Sequence, residues 1–365
     1  QGNRDIMRKI LCVCNTYFQL IEAIQLKNVL FSKDSVTVAF SNLSRNAGQI
    51  IDRLSTLKVF NSCYLWQCRE QMNLQSSNRK ENLSVTIKEI VGNGGFGNPF
   101  ESDFYDDLIY YNQFDNLKVV FAELYEKNPQ IKVSRFEEGI FSYADGEYLA
   151  KKDKIVNPLR KILGKKTLLE CQHNFYCFYP ELYKGHLNPV QIPKIEADEK
   201  TAQVLSKLFH TSTAVYPQKY IFFSSVFDFE GGAPVGELNV IKQVAALIGN
   251  ENLIVKVHPR DSIDRFVSAG LNVDNNSAIP WEAIQLGRDF SNHIFLTVNS
   301  GSVLSVSMLQ EKKPKIHFLY KLCDLCGNPA ASVNTRKISE ILSETCLKDK
   351  LSDVDAPESL DAILD

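Results

Sequence analysis

Residues 256–260, Lys-Val-His-Pro-Arg, carry the clearest chemical signal in the sequence. His258 follows the apolar residues 253–255, which are typical of a buried parallel strand. Pro259 restricts the preceding backbone to extended geometry, so the imidazole is expected at the carboxyl end of the strand. Ligands of open parallel sheets bind at that end, and the planar guanidinium of Arg260 suits a phosphate group. The motif predicts an anion-binding site, although a lone histidine–proline pair also fits an ordinary strand end.

A carboxylate follows a second predicted strand, residues 220–224. Asp228 lies in the loop after this strand, among aromatic residues. Apolar neighbours raise the pKa of a carboxylate and strengthen it as a base. The position therefore favours Asp228 as a general base, and the alternative is a simple turn residue.

Two further segments flank strands in the same half of the chain: Pro280, Trp281 and Glu282, and Ser300, Gly301 and Ser302. The first begins a predicted helix, and its carboxylate can bind the two vicinal hydroxyls of a ribose. The second follows the predicted strand 294–298 at a predicted helix start, where backbone N–H groups attract an anion. Capping and helix initiation explain each segment alone. Together with Asp228, these segments follow or flank strands along the chain in the order that a nucleotide-binding site needs.

Two acidic residues end a strand in the other half of the chain. Glu137 and Glu138 follow the predicted strand 131–136, and Gly139 permits a tight turn. Side chains alternate in extended backbone, so at most one of the two carboxylates is expected to point into the cleft. We expect this to be Glu138, on the same side as Phe136, whereas Glu137 orders the turn.

Alternating strands and helices position these residues. The remaining predicted strands are residues 9–14, 36–40, 252–257 and 315–319, and the predicted helices are residues 19–30, 117–127, 200–209, 238–248 and 303–309. This order predicts an α/β fold with two doubly wound Rossmann-like domains that face a cleft, the GT-B type. We expect the domains at residues 7–195 and 216–330, followed by a C-terminal helical tail at 331–365.

The composition excludes some classes of function. The chain has 365 residues and a formal net charge of −2, so no basic excess indicates nucleic acid as a partner. Nine cysteines with irregular spacing predict reduced thiols and a cytoplasmic location. The basic stretch 151–166 is either a solvated face or a peripheral contact with the anionic inner face of the cytoplasmic membrane.

The motifs resemble those of bacterial sialyltransferases, in particular the lipooligosaccharide and capsule sialyltransferases of glycosyltransferase family 52. Residues 136–139 look like the acidic-acidic-glycine motif, and residues 256–260 look like the HP motif. The resemblance implies that Asp228 is the general base and that His258 is the general acid or electrostatic partner of the leaving phosphate. Glu230 is the alternative base, because the loop between Asp228 and His258 is longer than in that family.

The resemblance also implies the substrates. The donor is CMP-sialic acid, held by the C-terminal domain, and the acceptor is a terminal galactoside of a bacterial surface glycan, held by the N-terminal domain. Donor-binding residues are then Arg260, Pro280, Trp281, Glu282, Ser300, Gly301 and Ser302, and acceptor-side residues are Glu137, Glu138 and Gly139. A homodimer and the linkage, 2,3 or 2,6, stay open.

The implied reaction needs no metal or other cofactor. A cytidine monophosphate leaving group carries less charge than a nucleoside diphosphate, so hydrogen-bond donors can stabilise its departure. The Asp-x-Asp sequence at residues 353–355 lies beyond the last predicted strand. Attack opposite the phosphate inverts the anomeric centre. Two other functions fit the same architecture, a sugar-nucleotide isomerase and a non-catalytic glycan-binding relative.

Overall fold

The computed structural model describes residues 7–44, 46–77, 79–111, 114–143, 152–195, 199–258, 260–276, 279–286, 288–305, 309, 312–343, 351 and 353–364. The chain divides into two compact units, residues 1–138 with 145–193, and residues 139–144 with 194–365. Each unit contains one parallel sheet with helices between successive strands. The predicted α/β class with two doubly wound Rossmann-like units is therefore confirmed.

Seven parallel strands form the sheet of the first unit, in the order β3-β2-β1-β4-β5-β6-β7. These strands are β1 (Lys9–Cys14), β2 (Ser35–Ser41), β3 (Ser62–Trp66), β4 (Asp107–Tyr110), β5 (Lys132–Phe136), β6 (Gln172–Cys177) and β7 (Asn188–Gln191). The helices are α1 (Tyr17–Val29), α2 (Ala47–Leu57), α3 (Cys68–Ser77), α4 (Arg79–Val91), α5 (Asp115–Lys127) and α6 (Asp153–Ile162). The central strands are apolar because helices cover a doubly wound sheet on both faces. Leu11, Val120 and Val133 belong to the resulting core.

Five parallel strands form the sheet of the second unit, in the order β12-β11-β10-β8-β9. These strands are β8 (Tyr220–Phe223), β9 (Leu253–Lys256), β10 (Ile294–Thr297), β11 (Lys315–Phe318) and β12 (Val354–Asp355). The helices are α7 (Lys200–Phe209), α8 (Glu237–Ile248), α9 (Ile263–Val267), α10 (Trp281–Ile284) and α11 (Pro329–Ser343). Strand β8 lies between β9 and β10, so the segments that follow these three strands are neighbours at one edge of the sheet.

The segment predicted as a helical tail also contributes to the second sheet. After helix α11, strand β12 pairs with β11, and the Asp355 carboxylate lies 2.5 Å from Nδ1 of His317. The prediction that the Asp-x-Asp sequence lies beyond the last strand was therefore wrong, because Asp355 is part of that strand. Among the described residues, no helix has the length and hydropathy required to span a bilayer.

Candidate active site

His258 lies directly after β9, next to the end of β8. Its backbone N–H donates to Oγ of the buried Ser224, at 2.8 Å, which ties the two strand ends together. Its Nδ1 accepts a hydrogen bond from the backbone N–H of Arg260, at 3.1 Å. This contact uses the lone pair of Nδ1, so Nε2 is the ring atom from which His258 can donate a hydrogen bond. Pro259 lies outside the described residues.

Arg260 forms an ion pair with the alternative base. Its Nη1 lies 2.6 Å from Oε2 of Glu230, and both side chains are exposed to solvent. The contact joins the loop after β9 to the loop after β8. Arg260 and Glu230 therefore lie close to the strand ends that were predicted to bind the donor. An exposed pair of this kind contributes little to stability, so an incoming anion can replace Glu230 at low cost.

The loop after β8 is held by buried contacts with the segment before α11. The side-chain amide of Asn328 lies within hydrogen-bond distance of the carbonyl oxygens of Phe227, Glu230 and Ala233, at 2.9, 3.0 and 2.9 Å. Gly232 has a φ of 142°, and a Cβ there would meet the carbonyl oxygen of residue 327 at 2.2 Å. The loop after β8 is thus fixed, and the sequence analysis did not identify Asn328.

Asp228 caps helix α8. One carboxylate oxygen accepts the backbone N–H groups of Gly236 and Glu237, at 2.9 and 3.0 Å. The other oxygen accepts from the Leu238 N–H and from Nη1 of Arg265, at 3.1 and 2.9 Å.

This geometry leaves Asp228 poorly suited to remove a proton. Burial raises its pKa, but the backbone N–H groups and Arg265 outweigh that effect, so the pKa lies below its usual value. A general base needs an available lone pair and a pKa near the working pH. In this structure Asp228 orients the start of α8 and the side chain of Arg265, and its role as the general base stays a prediction.

We predict that Asp228→Asn acts on stability. The amide group keeps one acceptor but presents N–H toward the donors at Leu238 and Arg265, so buried donors lose their partner. The expected cost is about 1–3 kcal/mol in the free energy of unfolding, measured by denaturant titration. The rate of transfer per folded molecule should stay within about tenfold of the parent value. Abolished transfer at unchanged stability would restore Asp228 as the base.

Arg265 connects three carboxylates between the two loops. Besides Asp228, its Nη2 contacts Asp261 at 2.7 Å and lies 3.9 Å from Glu237. Glu237 is fully buried, and its carboxylate accepts the backbone N–H of Ser225 at 2.8 Å. Burial raises the pKa of Glu237 to about 8, while Ser225 and Arg265 oppose the shift and Asp228 adds to it. Sequence reasoning had no signal for Glu237, which reads as an ordinary first-turn residue of a helix.

The raised pKa of Glu237 makes stability depend on pH. In the folded protein this carboxyl keeps its proton up to about pH 8, whereas in the unfolded chain it loses it near its usual value of 4.5. Stability is therefore highest below that usual value and falls as the pH rises toward 8. The Glu237→Gln variant should not lose stability in this way. Its free energy of unfolding should therefore differ in pH dependence from that of the parent by on the order of 1 kcal/mol per pH unit. The measurement is unfolding of both proteins at pH 5, 6, 7 and 8. Parallel pH profiles of the variant and its parent would contradict this prediction.

A buried lysine anchors the segment that leads to α10. Nζ of Lys256, in β9, contacts Oδ2 of Asp274 and the carbonyl oxygen of Asn276, both at 2.8 Å. Glu282 follows in α10 and is half-buried. Burial raises the pKa of Glu282, and Lys256 opposes the shift. Binding of the ribose hydroxyls by Glu282 stays a proposal.

Trp281 does not fit the predicted role in donor binding. Its side chain is buried, and its ring packs against Tyr216, Phe223, Phe290 and Phe295 with centroids 4.7–5.5 Å apart. The indole is thus a core residue that fixes α10 beneath the strand ends. Pro280 is half-buried and precedes the first turn of that helix.

Ser300, Gly301 and Ser302 lie after β10, next to the end of β8. The Ser300 N–H donates to Oγ1 of Thr297 at 2.9 Å, and Oγ1 of Thr297 donates to the carbonyl oxygen of Phe223 at 2.8 Å. These contacts join the ends of β10 and β8. The residues begin a short 3-10 helix, Gly301–Leu304. Residues 306–308 of the predicted helix 303–309 lie outside the described residues, and Ser305 and Leu309 on either side of them are helical.

The acidic turn of the first unit separates its two carboxylates. Glu137 is fully buried, and its Oε2 accepts the Phe178 N–H at 2.9 Å. Glu138 is half-buried and accepts hydrogen bonds from Oγ1 of Thr16, at 2.9 Å, and from the side-chain amide of Gln19. Gly139 has a φ of 66°, a conformation that favours glycine.

A third carboxyl group lies close to this turn. Glu22 in α1 is fully buried, and neither of its side-chain oxygens has a hydrogen-bond partner among the described residues. Burial raises its pKa well above the usual value, and the charges of Glu137 and Glu138 add to the shift. Within the described part of the chain, no group of three His, Cys, Asp or Glu residues is arranged to hold a metal ion.

Comparison with protein families gives one match. Residues 10–284 match the alpha-2,8-polysialyltransferase family, POLYST, and the chain belongs to that family. The predicted class, a bacterial sialyltransferase, is therefore confirmed, and the protein is a glycosyltransferase. No curated protein matches the sequence.

Solved structures with a similar fold include several glycosyltransferases. An alpha/beta-galactoside alpha-2,3-sialyltransferase from Photobacterium phosphoreum is 12% identical, with 96% of this chain and 98% of that chain covered and a TM-score of 0.49. TcCGT1 in complex with UDP is 12% identical, with 98% and 89% covered and a TM-score of 0.46. The Streptomyces sp. SF2575 glycosyltransferase SsfS6 is 9% identical, with 94% and 93% covered and a TM-score of 0.44.

Proposed function

We propose that this chain is an inverting sialyltransferase that moves sialic acid from CMP-sialic acid to a terminal galactoside of a bacterial surface glycan, lipooligosaccharide or capsule. The observation that carries the proposal is the placement of His258 in a chain of a sialyltransferase family. Its Nδ1 accepts a backbone N–H, so a hydrogen bond from the ring to a leaving phosphate would come from Nε2. A donor aimed at developing phosphate charge is the main requirement for the departure of cytidine monophosphate.

The donor is proposed to bind at the ends of β8, β9 and β10. Arg260 exchanges its exposed partner Glu230 for the donor's carboxylate or phosphate. Ser300, Gly301 and Ser302 offer hydroxyl and backbone groups to the phosphate, and Glu282 offers a carboxylate to the ribose. The reaction is proposed to need no metal or cofactor, because a monophosphate leaving group carries less charge than a nucleoside diphosphate.

The general base is proposed to be Glu138. Asp228 has all its lone pairs engaged, and Glu230 is exposed and paired with Arg260. Glu138 instead lies at the carboxyl end of β5, is half-buried, and is oriented by Thr16 and Gln19. In this proposal it accepts the proton of the acceptor hydroxyl while the sialyl group develops oxocarbenium character. Asp228, which the family resemblance implies as the base, and Glu230 stay as the alternatives.

A second acceptor follows from the family. Its name describes addition of sialic acid to sialic acid, so a sialyl-terminated glycan is the alternative to a galactoside. The acceptor group is a sugar hydroxyl in both cases, so the base and leaving-group chemistry would be the same.

The test is release of cytidine monophosphate from CMP-sialic acid, followed with galactosides, with sialyl-terminated oligosaccharides, and with no acceptor. We expect release in every case, faster transfer to one acceptor class, and unchanged rates with excess chelator. Product NMR should show an inverted anomeric centre. Absence of both release and transfer would overturn the proposal, and loss in chelator restored by magnesium would overturn its leaving-group chemistry.

A further inference from the structure

Strand β5 carries a buried arginine near its carboxyl end. Arg135 is 7% exposed, and its partners in the register of the sheet are Tyr110 of β4 and Phe175 of β6, both fully buried. No described residue accepts a hydrogen bond from its side chain or forms an ion pair with it, and its Nε is buried without a partner. The guanidinium is nevertheless charged at neutral pH, and arginine is seldom buried unless it is paired.

Arg160, which is buried in the same unit, shows the usual arrangement. Its Nη1 donates to the carbonyl oxygen of Glu89, and its Nε and Nη2 donate to that of Lys166, at 3.0 and 2.8 Å. Arg135 instead has its guanidinium carbon 5.4 Å from the centroid of the Tyr111 ring. An aromatic face attracts a cation but takes up none of its in-plane N–H groups. The guanidinium therefore presents donors that no described residue uses.

The position of Arg135 places it at the edge of the sheet where ligands bind. Val133, two residues earlier in the strand, belongs to the core together with Val120 of α5, so Arg135 is on the face that α5 covers. Tyr111 directly follows β4, the neighbouring strand. The guanidinium thus lies at the carboxyl edge of the sheet, which is also the edge where Glu138 follows β5.

The unused donors suit a carboxylate. A guanidinium binds carboxylate and phosphate oxygens through two parallel hydrogen bonds. The phosphate of the donor is proposed to bind to the second unit, whereas Arg135 belongs to the first unit, which is proposed to hold the acceptor. Of the two proposed acceptors, a sialyl-terminated glycan carries a carboxylate on its last sugar and a galactoside carries none there. An unpaired buried charge is costly, so an acceptor that neutralises it gains affinity.

We propose that Arg135 binds the carboxylate of the terminal sialic acid of the acceptor and thereby selects a sialyl-terminated glycan over a neutral galactoside. This inference rests on the proposed function and decides between its two acceptors. A guanidinium stays protonated, so Arg135 takes no part in proton transfer. That role is proposed for Glu138, which is oriented by Thr16 and Gln19 of α1. The two residues therefore act on different groups of the same sugar, and Arg135 determines specificity.

The test compares Arg135→Met with the parent on three acceptors, disialyllactose, its dimethyl ester and lactose, with CMP-sialic acid as the donor. The parent should have a lower KM for disialyllactose than for either uncharged acceptor. In the variant this KM should rise by about ten- to hundredfold, because a charge-assisted hydrogen bond is lost, and kcat should change far less. The KM for the ester should change by less than about threefold. Arg135→Lys should recover part of the affinity for disialyllactose, because an ammonium keeps the charge but lacks the planar fork.

Lys132→Met is the matched control, because it removes a positive charge from an exposed position of the same strand. It should keep the parent's KM for disialyllactose. Arg135→Met should not lower the melting temperature, because the loss of an unpaired buried charge does not destabilise the fold. A lower melting temperature with parent-like KM for disialyllactose would overturn the proposal and make Arg135 a structural residue. A raised KM for CMP-sialic acid, with that for disialyllactose unchanged, would also overturn it, since the carboxylate bound would be the donor's.

Binding of disialyllactose without donor, measured by calorimetry, tests Arg135 apart from catalysis. Binding that is about tenfold weaker or more in Arg135→Met would support the proposal even if the parent releases no cytidine monophosphate. That failure of release would overturn the proposed function alone. Equal binding by the parent and Arg135→Met would overturn the role of Arg135 and leave the proposed function in place.

Discussion

His258→Ala should lower the turnover of sialyl transfer by about two to four orders of magnitude, the range typical of a positioned proton or hydrogen-bond donor. The affinity for cytidine monophosphate should change far less, because the Nε2 hydrogen bond gains its strength as charge develops on the leaving phosphate. Turnover is measured under saturating CMP-sialic acid, and nucleotide affinity by calorimetry. Parent-like turnover in this variant would remove His258 from the chemistry.

A second variant at the same position separates two roles of the ring. His258→Gln places an amide N–H near the position of Nε2 but has no proton to transfer. The backbone N–H of Arg260 occupies Nδ1, which favours the neutral ring and therefore hydrogen bonding over full proton transfer. We expect the glutamine variant to retain more activity than the alanine variant. Equal losses would indicate that proton transfer from the ring is required.

The sequence identified seven of the strands, including the edge strand β9, but it missed β4 and β6 inside the first sheet as well as β3, β7 and β12. Strand β4 has only four residues, and β6 begins with three polar residues. Strands β1, β8 and β10 are continuous apolar runs because helices cover both faces of the sheets. Strands β3 and β7 were missed because their residues are mostly partly exposed, so they carry no apolar run. Strand β12 has only two residues. Edge strands are specified by their neighbours in the sheet, which the local sequence does not reveal.

The candidate site could be located from the sequence, but its internal contacts could not. The strand ends place His258 correctly, because the carboxyl edge of a parallel sheet follows from the order of elements alone. The role of Asp228 depends on Arg265 in another loop and on the start of α8. The fixed loop depends on Asn328, about a hundred residues away. Such distant contacts decide whether a carboxylate can act as a base or caps a helix, and the local sequence around the carboxylate does not predict them.

Glu138→Gln should separate transfer from donor hydrolysis. If Glu138 removes the proton of the acceptor hydroxyl, transfer should fall by about two to four orders of magnitude. Hydrolysis should fall at least about tenfold less, because water can trap the developing oxocarbenium ion with less assistance from a base. Both rates come from one assay, in which cytidine monophosphate release and sialylated product are quantified together. Glu230→Gln, tested in parallel, should leave both rates near the parent values.

Glu137→Gln is the matched control, since it makes the same chemical change one residue earlier. Glu137 is fully buried and accepts the Phe178 N–H, so the variant should change the free energy of unfolding while leaving the ratio of transfer to hydrolysis unchanged. Equal loss of transfer and hydrolysis in Glu138→Gln, at parent stability, would instead place that carboxylate in the donor machinery. If the Glu138→Gln variant behaves like the parent and the Glu230→Gln variant is inactive, the base lies in the loop after β8. Of the two carboxylates in that loop, Asp228 and Glu230, the side chain of Glu230 is the more exposed to solvent.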